Sequence, residues 1–169
     1  AQTYICNSDM CNQKYWRTTD YKIKWRPVFF DLDFAYKTAA RDMIGQYFNQ
    51  DGVPSNDGSL TYFEIYIGLK KNAAWREHCV ERYVEVVEKY FNAQRATALF
   101  DQMVAAIRPE MPRQIARWGK PSSMSEWEQS VAQMRTFIEQ RPDYALENMR
   151  EYFGVSKEKL DELIAKYKQ

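Results

Sequence analysis

KWRPVFFDLDFAY, residues 24–36, sets an apolar and aromatic run against two acids, Asp31 and Asp33. The β-branched and aromatic content of 24–34 marks a strand, and Pro27 places that strand at an edge or at its start. In a strand, side chains two apart share a face, so the pattern predicts that Asp31 and Asp33 point the same way. An ionised carboxylate beside an apolar strand is costly unless something pairs with it. A metal ion is one such partner. The alternative is that Asp31 caps the next segment while Asp33 pairs with a Lys or Arg.

Working outward, KYWRT (14–18) is a second strand-like run and TTDYK (18–22) between the two reads as a hairpin turn. TYIC (3–6) is a third short run of β-formers, so residues 1–59 are expected to be β-rich. NQDGVPSNDGS (49–59) is dense in turn residues and reads as a loop that covers the site, binds the acceptor or simply connects.

From residue 60 the period changes to that of helices. Val80, Tyr83, Val84, Val87, Tyr90 and Phe91 form one stripe, and Leu99, Phe100, Met103, Val104 and Ile107 another. Trp127, Val131, Met134 and Ile138 form a third. All three are expected to face the core. Ser125 with Glu128 fits a capping box, Pro142 suits the first turn of a following helix, Gly154 ends that helix, and Ser156 caps the last one. Pro109 and Pro112 break or restart a helix near 108–117. The fold class is therefore α+β and mostly helical: a short β-hairpin followed by a helical bundle over 60–169.

The totals fit one domain. The chain has 169 residues, 45% of them hydrophobic, with 12 Tyr, 9 Phe and 5 Trp. A formal charge of +1 gives no global field for nucleic acid. No apolar stretch is long enough to span a membrane. AQTYICNSDM lacks the basic and apolar regions of a signal peptide, and the chain enters motif-like sequence at once, as expected for the C-terminal part of a longer protein. Three cysteines, Cys6, Cys11 and Cys79, and one histidine, His78, are too few and wrongly spaced for zinc. His78 and Cys79 are neighbours on a helix, about 100° apart, and so do not form a dyad.

Chemistry concentrates in two places. NSDMCN (7–12) holds Asn7, Asp9 and Asn12, and FFDLDF holds Asp31 and Asp33. A hairpin between them brings its outer ends together, so both can serve one site. An acid and an amide on one loop, with a second acid after a strand, suit phosphoryl transfer. One carboxylate orients or deprotonates the acceptor hydroxyl, while the amide and the other carboxylate hold Mg²⁺. Arg17 and Arg26 flank the hairpin as candidate phosphate contacts.

Four stretches carry a family resemblance: NSDMCNQKYWR, KWRPVFFDLDFAY, GLKKNAAWREHCVERYVEVVEKYFN, and RPEMPRQIARWGKPSSMSEWEQSVAQMRTFIEQRPDYALENMREYFGVS. Together they cover most of residues 5–156, and the sequence resembles the C-terminal half of the spore-coat CotH kinase family. The resemblance implies the C-terminal lobe of an atypical protein-kinase-like fold across 1–169. It also implies Mg²⁺- or Mn²⁺-dependent transfer from ATP to an acceptor protein, and a place outside the cell, in the envelope or on a spore surface. Residue by residue it implies Asp9 as the catalytic-loop acid, Asn12 and Asp31 as metal ligands, and Asp33 as support. The loop from Asp9 to Trp16 is shorter than the family's, which leaves Asn7 and Gln13 as substitute amides. Nothing here resembles an N-terminal lobe, so the grip on ATP phosphates is expected from an upstream segment of the same protein. Trp118, in the family-like RW, is expected to pack under the helices.

Two rival classes remain on sequence grounds. A strand followed by D-x-D also marks haloacid-dehalogenase-type phosphatases and metal-dependent glycosyltransferases. The helices after residue 60 argue against the phosphatase. The other class is a non-catalytic helical interaction module.

Overall fold

The computed structural model describes residues 1–9, 14–48 and 63–168, with side chains from residue 66 in the last span. Two three-residue strands, β1 (Lys14–Trp16) and β2 (Arg26–Val28), pair antiparallel with Tyr15 opposite Pro27. Helices follow: α1 (Met43–Phe48), α2 (Phe63–Leu69), α3 (Ala73–Tyr90), α4 (Ala93–Ile107), a 3-10 turn (Arg108–Glu110), α5 (Met111–Trp118), α6 (Met124–Phe153) and α7 (Lys157–Tyr167). The chain is thus a small hairpin set against a helical bundle, as the periodicity predicts. No helix among the described residues is long and apolar enough to cross a membrane.

The β-rich expectation for 1–59 shrinks on inspection. TYIC forms turns, with Ile5 N–H donating to the Ala1 carbonyl at 3.0 Å and Cys6 N–H to that of Thr3. Tyr4, Ile5 and Cys6 are buried, so burial rather than pairing uses their apolar side chains. The strand in 24–34 stops at Val28. Asp31 is left-handed, at φ 57°, so strand alternation does not set the directions of Asp31 and Asp33. The segment 40–48 holds α1, which Asp42 starts by accepting the Gly45 N–H at 2.8 Å. The 49–59 loop lies outside the described residues.

The core forms where α3, α6 and α7 meet. Val80, Val84 and Val87 pack with Ala145, Leu146 and Met149 and with Leu160 and Leu163. Tyr4, Ile5, Ala35 and Ile44 join that cluster from the N-terminal segments. A second cluster unites Cys6, Ala39, Met43, Tyr47, Ile67 and Phe137. Both clusters therefore clamp residues 4–6 and 35–47 onto the helices.

Four helix expectations are corrected. The N-cap of α6 is Ser123, whose hydroxyl accepts from Glu126 N–H at 3.2 Å, rather than Ser125. The Glu126 carboxylate accepts from Ser122 N–H at 2.7 Å, one residue before the cap, so a variant of the capping box sits two residues earlier than expected. Pro142 lies inside α6, which runs unbroken through it. An interior proline costs about 3 kcal/mol, and the burial of Arg141, Pro142, Ala145 and Leu146 in one stretch offsets it. The α4 stripe is not core: α4 packs on α6, yet Leu99, Met103 and Ile107 are each more than half exposed. Trp118 is likewise exposed, with the Arg117 guanidinium over its ring at 4.9 Å. Gly154, at φ 65°, and the Ser156 cap end α6 and start α7 as expected.

Candidate functional site

Three short contacts join the two acid-bearing segments. Ser8 donates from its N–H (3.4 Å) and its hydroxyl (3.2 Å) to the Phe34 carbonyl. Tyr36 N–H donates to the Ile5 carbonyl at 2.9 Å. Residues 5–8 therefore run alongside 34–36, which sets Asp9, next to Ser8, beside the segment carrying Asp31 and Asp33. The outer ends of the hairpin meet, as its topology demands.

Asn7 fixes the first acid. It is 1% exposed, and its side-chain oxygen accepts the Asp9 N–H at 3.0 Å. Its amide nitrogen donates to Gln2 Oε1 at 2.9 Å and to the Asp9 carbonyl at 3.1 Å. From α1, the Tyr47 hydroxyl donates to the Asn7 carbonyl at 2.6 Å. This is an Asx-type turn pinned from behind, and it turns the Asn7 amide inward onto backbone.

Three of the four left-handed non-glycine residues among those described lie in these segments: Cys6, Asp31 and Tyr36 have φ of 54°, 57° and 60°, while Tyr21, at 58°, lies in the hairpin turn. For residues other than glycine this region is sparsely populated, and for a bulky residue such as Tyr it is a genuine outlier. Such residues concentrate at functional sites because packing must hold them there. Asp9 is half-buried, whereas Asp31 and Asp33 are exposed.

Arg141 holds the junction to the bundle, and sequence reasoning missed it. It is 1% exposed. Its Nε donates to the Tyr4 carbonyl at 2.6 Å and its Nη2 to that of Thr3 at 3.0 Å. Its Nη1 donates to the carbonyls of Ala39 and Arg41. One guanidinium from α6 thus ties the segment before Asp9 to the segment after Asp33. Its fixed fork of donors suits four carbonyls, which an ammonium could not serve in that geometry. The only signal was the Arg-Pro pair in FIEQRPDYALEN, which reads as a helix boundary.

The remaining candidates are placed as follows. The Arg17 guanidinium lies 4.1 Å from the Tyr21 ring and 4.6 Å from the Trp25 ring, so it packs on aromatic faces of the hairpin. Arg26 is in β2 opposite Trp16 and exposed. Asn12 and Gln13 lie outside the described residues. No three His, Cys, Asp or Glu side chains converge on a metal-sized site among the described residues. The carboxylates of Asp9, Asp31 and Asp33 are hard oxygen ligands of the kind Mg²⁺ takes in ones and twos while keeping its waters, whereas the Asn7 amide is already engaged. Burial raises the Cys79 thiol above its ordinary value, which disfavours the thiolate. Beneath the hairpin, a cavity of about 300 Å³ is walled by Tyr15, Phe29, Phe48, Tyr66, Trp75 and Phe153 among others. Among the described residues its lining carries no charged side chain.

The family model described as CotH kinase protein matches residues 1–145. This chain belongs to the CotH kinase family. The match runs from the first turn through the junction, the hairpin and most of α6, so it spans both segments of the candidate site. It gives the chain a kinase-like function at the family level. No curated protein and no solved structure matches this CotH-family chain.

Proposed function

We propose that this CotH-family protein carries out divalent-metal-dependent phosphoryl transfer from ATP to an acceptor protein. Asp9 orients the acceptor hydroxyl and takes its proton. Asp31, with Asn12, provides hard oxygen ligands for Mg²⁺ or Mn²⁺, and Asp33 supports Asp31. The bound cation supplies charge neutralisation at the transferring phosphate. Everything else asked of this chain is positioning. The Asn7 turn holds Asp9, the left-handed backbone at Asp31 turns that residue away from the strand course, and Arg141 anchors both segments. The single observation that supports the reading is the Ser8–Phe34 junction, which runs the segment before Asp9 alongside the segment that follows Asp31 and Asp33.

The test is transfer of labelled phosphate by the full-length protein, wild type against Asp9→Asn. Removing a positioned general base costs roughly 10²–10⁴ in rate, so the variant should fall in that range while its circular dichroism stays unchanged. A folded Asp9→Asn variant with wild-type transfer would remove Asp9 from the mechanism. A folded wild type that transfers nothing to itself or to a generic acceptor would favour the non-catalytic reading.

A further inference from the structure

Helix α4, AQRATALFDQMVAAI, has the composition of a core helix without its burial. Only Arg95 and Asp101 among its 15 residues are charged, yet none of its residues is buried. Leu99, Met103 and Ile107 recur every four positions and so line one side of the helix. They are 57%, 60% and 51% exposed. The other side packs on α6. There Asp101 pairs with Arg135, and Arg108, just past the helix, pairs with Glu128 at 2.8 Å. The charges nearest to the stripe are thus turned to α6. A contiguous exposed apolar patch of this kind marks an interaction surface.

The ends of the stripe say what covers it. Arg95 stands four residues before Leu99, and Glu110 three after Ile107, so each continues the line. Both are exposed. Ile107, Arg108, Glu110 and Met111 all keep right-handed helical backbone, which carries the line past the end of α4. Glu110 contacts Arg113 at 3.2 Å, but both side chains are largely solvated and such a pair is worth little. From Met103, Arg95 is eight residues back and Glu110 seven ahead, about 12 Å and about 11 Å along the axis. The stripe is therefore self-complementary under reversal. Laid antiparallel on a second copy and centred on Met103, Leu99 meets the Ile107 of that copy, and Arg95 meets its Glu110 at both ends. A parallel pairing would set cation on cation and acid on acid, which costs affinity. A helix from an unrelated protein has no reason to match this reversal.

We propose that the exposed face of α4 is the interface of a two-fold, antiparallel dimer of this protein. Two-fold interfaces use one patch twice, and each contact occurs twice. Met103 packs on its own copy at the axis, and the Arg95–Glu110 pairs close the ends and set the register. No residue of this face belongs to the candidate site, so the dimer stands or falls independently of phosphoryl transfer.

The test is sedimentation velocity on the full-length protein from about 1 to 100 μM, with folding checked by circular dichroism. The wild type should pass from monomer to dimer as concentration rises. Met103→Glu, which brings two acids together at the axis, should stay folded and monomeric throughout. Arg95→Glu alone, or Glu110→Arg alone, sets like charges together at both ends and should weaken the dimer about tenfold or more. Position 95 lies in the first turn of α4, where an acid suits the helix, so folding is preserved. Arg95→Glu combined with Glu110→Arg restores opposite charges across the interface and should recover wild-type affinity. A dimer built elsewhere, or a stripe that serves a different protein, would not show that rescue. The proposal is overturned if the folded wild type is monomeric at every concentration, or if Met103→Glu leaves the dimer intact. It is equally overturned if the single charge exchanges have no effect, or if the double exchange stays as weak as the single ones.

Discussion

Three residues past the end of β2, at Asp31, the chain turns left-handed, at φ 57°. Asp and Asn tolerate this region better than most residues, so an amide there preserves the backbone while deleting the charge. Arg141 makes the opposite kind of contribution, since its charge is buried and hydrogen-bonded to four backbone carbonyls. Arg141→Met should cost about 3–5 kcal/mol in urea unfolding, because several buried acceptors lose their donors at once. Arg141→Lys should recover only part of that loss, and full recovery would show that charge alone matters at this position. Buried phenols set a pH limit. Burial raises Tyr83 to about 12 and Tyr4 beyond it. In the unfolded chain both ionise near pH 10, so the stabilisation is complete below about pH 10 and is lost as pH rises toward 12. Thermal melts across pH 8–12 should show stability falling above about pH 10, and a flat profile would contradict the burial of these hydroxyls.

At the scale of elements, the helices were legible because their periodicity reports burial directly. Val80, Val84 and Val87 step along one face of α3, and all three are buried. The hairpin was legible from two β-rich runs around a turn. Its length was not, because the departure at Asp31 is a backbone choice that composition does not signal. Nor did periodicity distinguish the α3 stripe from that of α4, since a helix on the outside of the bundle can be amphipathic and still expose Leu99 and Met103. Met149→Ala, fully buried on α6, should cost about 2–5 kcal/mol. Met103→Gln, 60% exposed on α4, should stay within about 0.5 kcal/mol. Equal losses in denaturant titrations would place the α4 stripe in the core after all. Ser123→Ala should cost about 1 kcal/mol as an N-cap loss, whereas Ser125→Ala, inside the first turn, should cost little.

Across the whole molecule, the bundle acts as a platform and the first 41 residues as its cargo. Both apolar clusters include residues from the N-terminal segments, and Arg141 binds those segments from a residue more than 130 positions away from Tyr4. Sequence reasoning reached the acids because Asp and Asn stand out in apolar surroundings. It missed the anchor because an arginine that serves backbone carbonyls has no partner residue type to look for. Asn7 was partly legible: its place beside Asp9 drew notice, but its role as the inward-facing holder of Asp9 depends on Gln2 and Tyr47. The junction of 5–8 with 34–36 followed from hairpin topology alone, and it is where the proposed phosphoryl-transfer site is tested.

The most direct measurement compares labelled phosphate transfer from ATP by the full-length wild type and by Asp31→Asn, with Mg²⁺ or Mn²⁺ present and folding checked by circular dichroism. Transfer should be metal-dependent in the wild type and lost in a variant that remains folded. Full metal-dependent transfer by folded Asp31→Asn would contradict the assignment of Asp31 as a metal ligand and, with it, the placing of phosphoryl transfer at this junction.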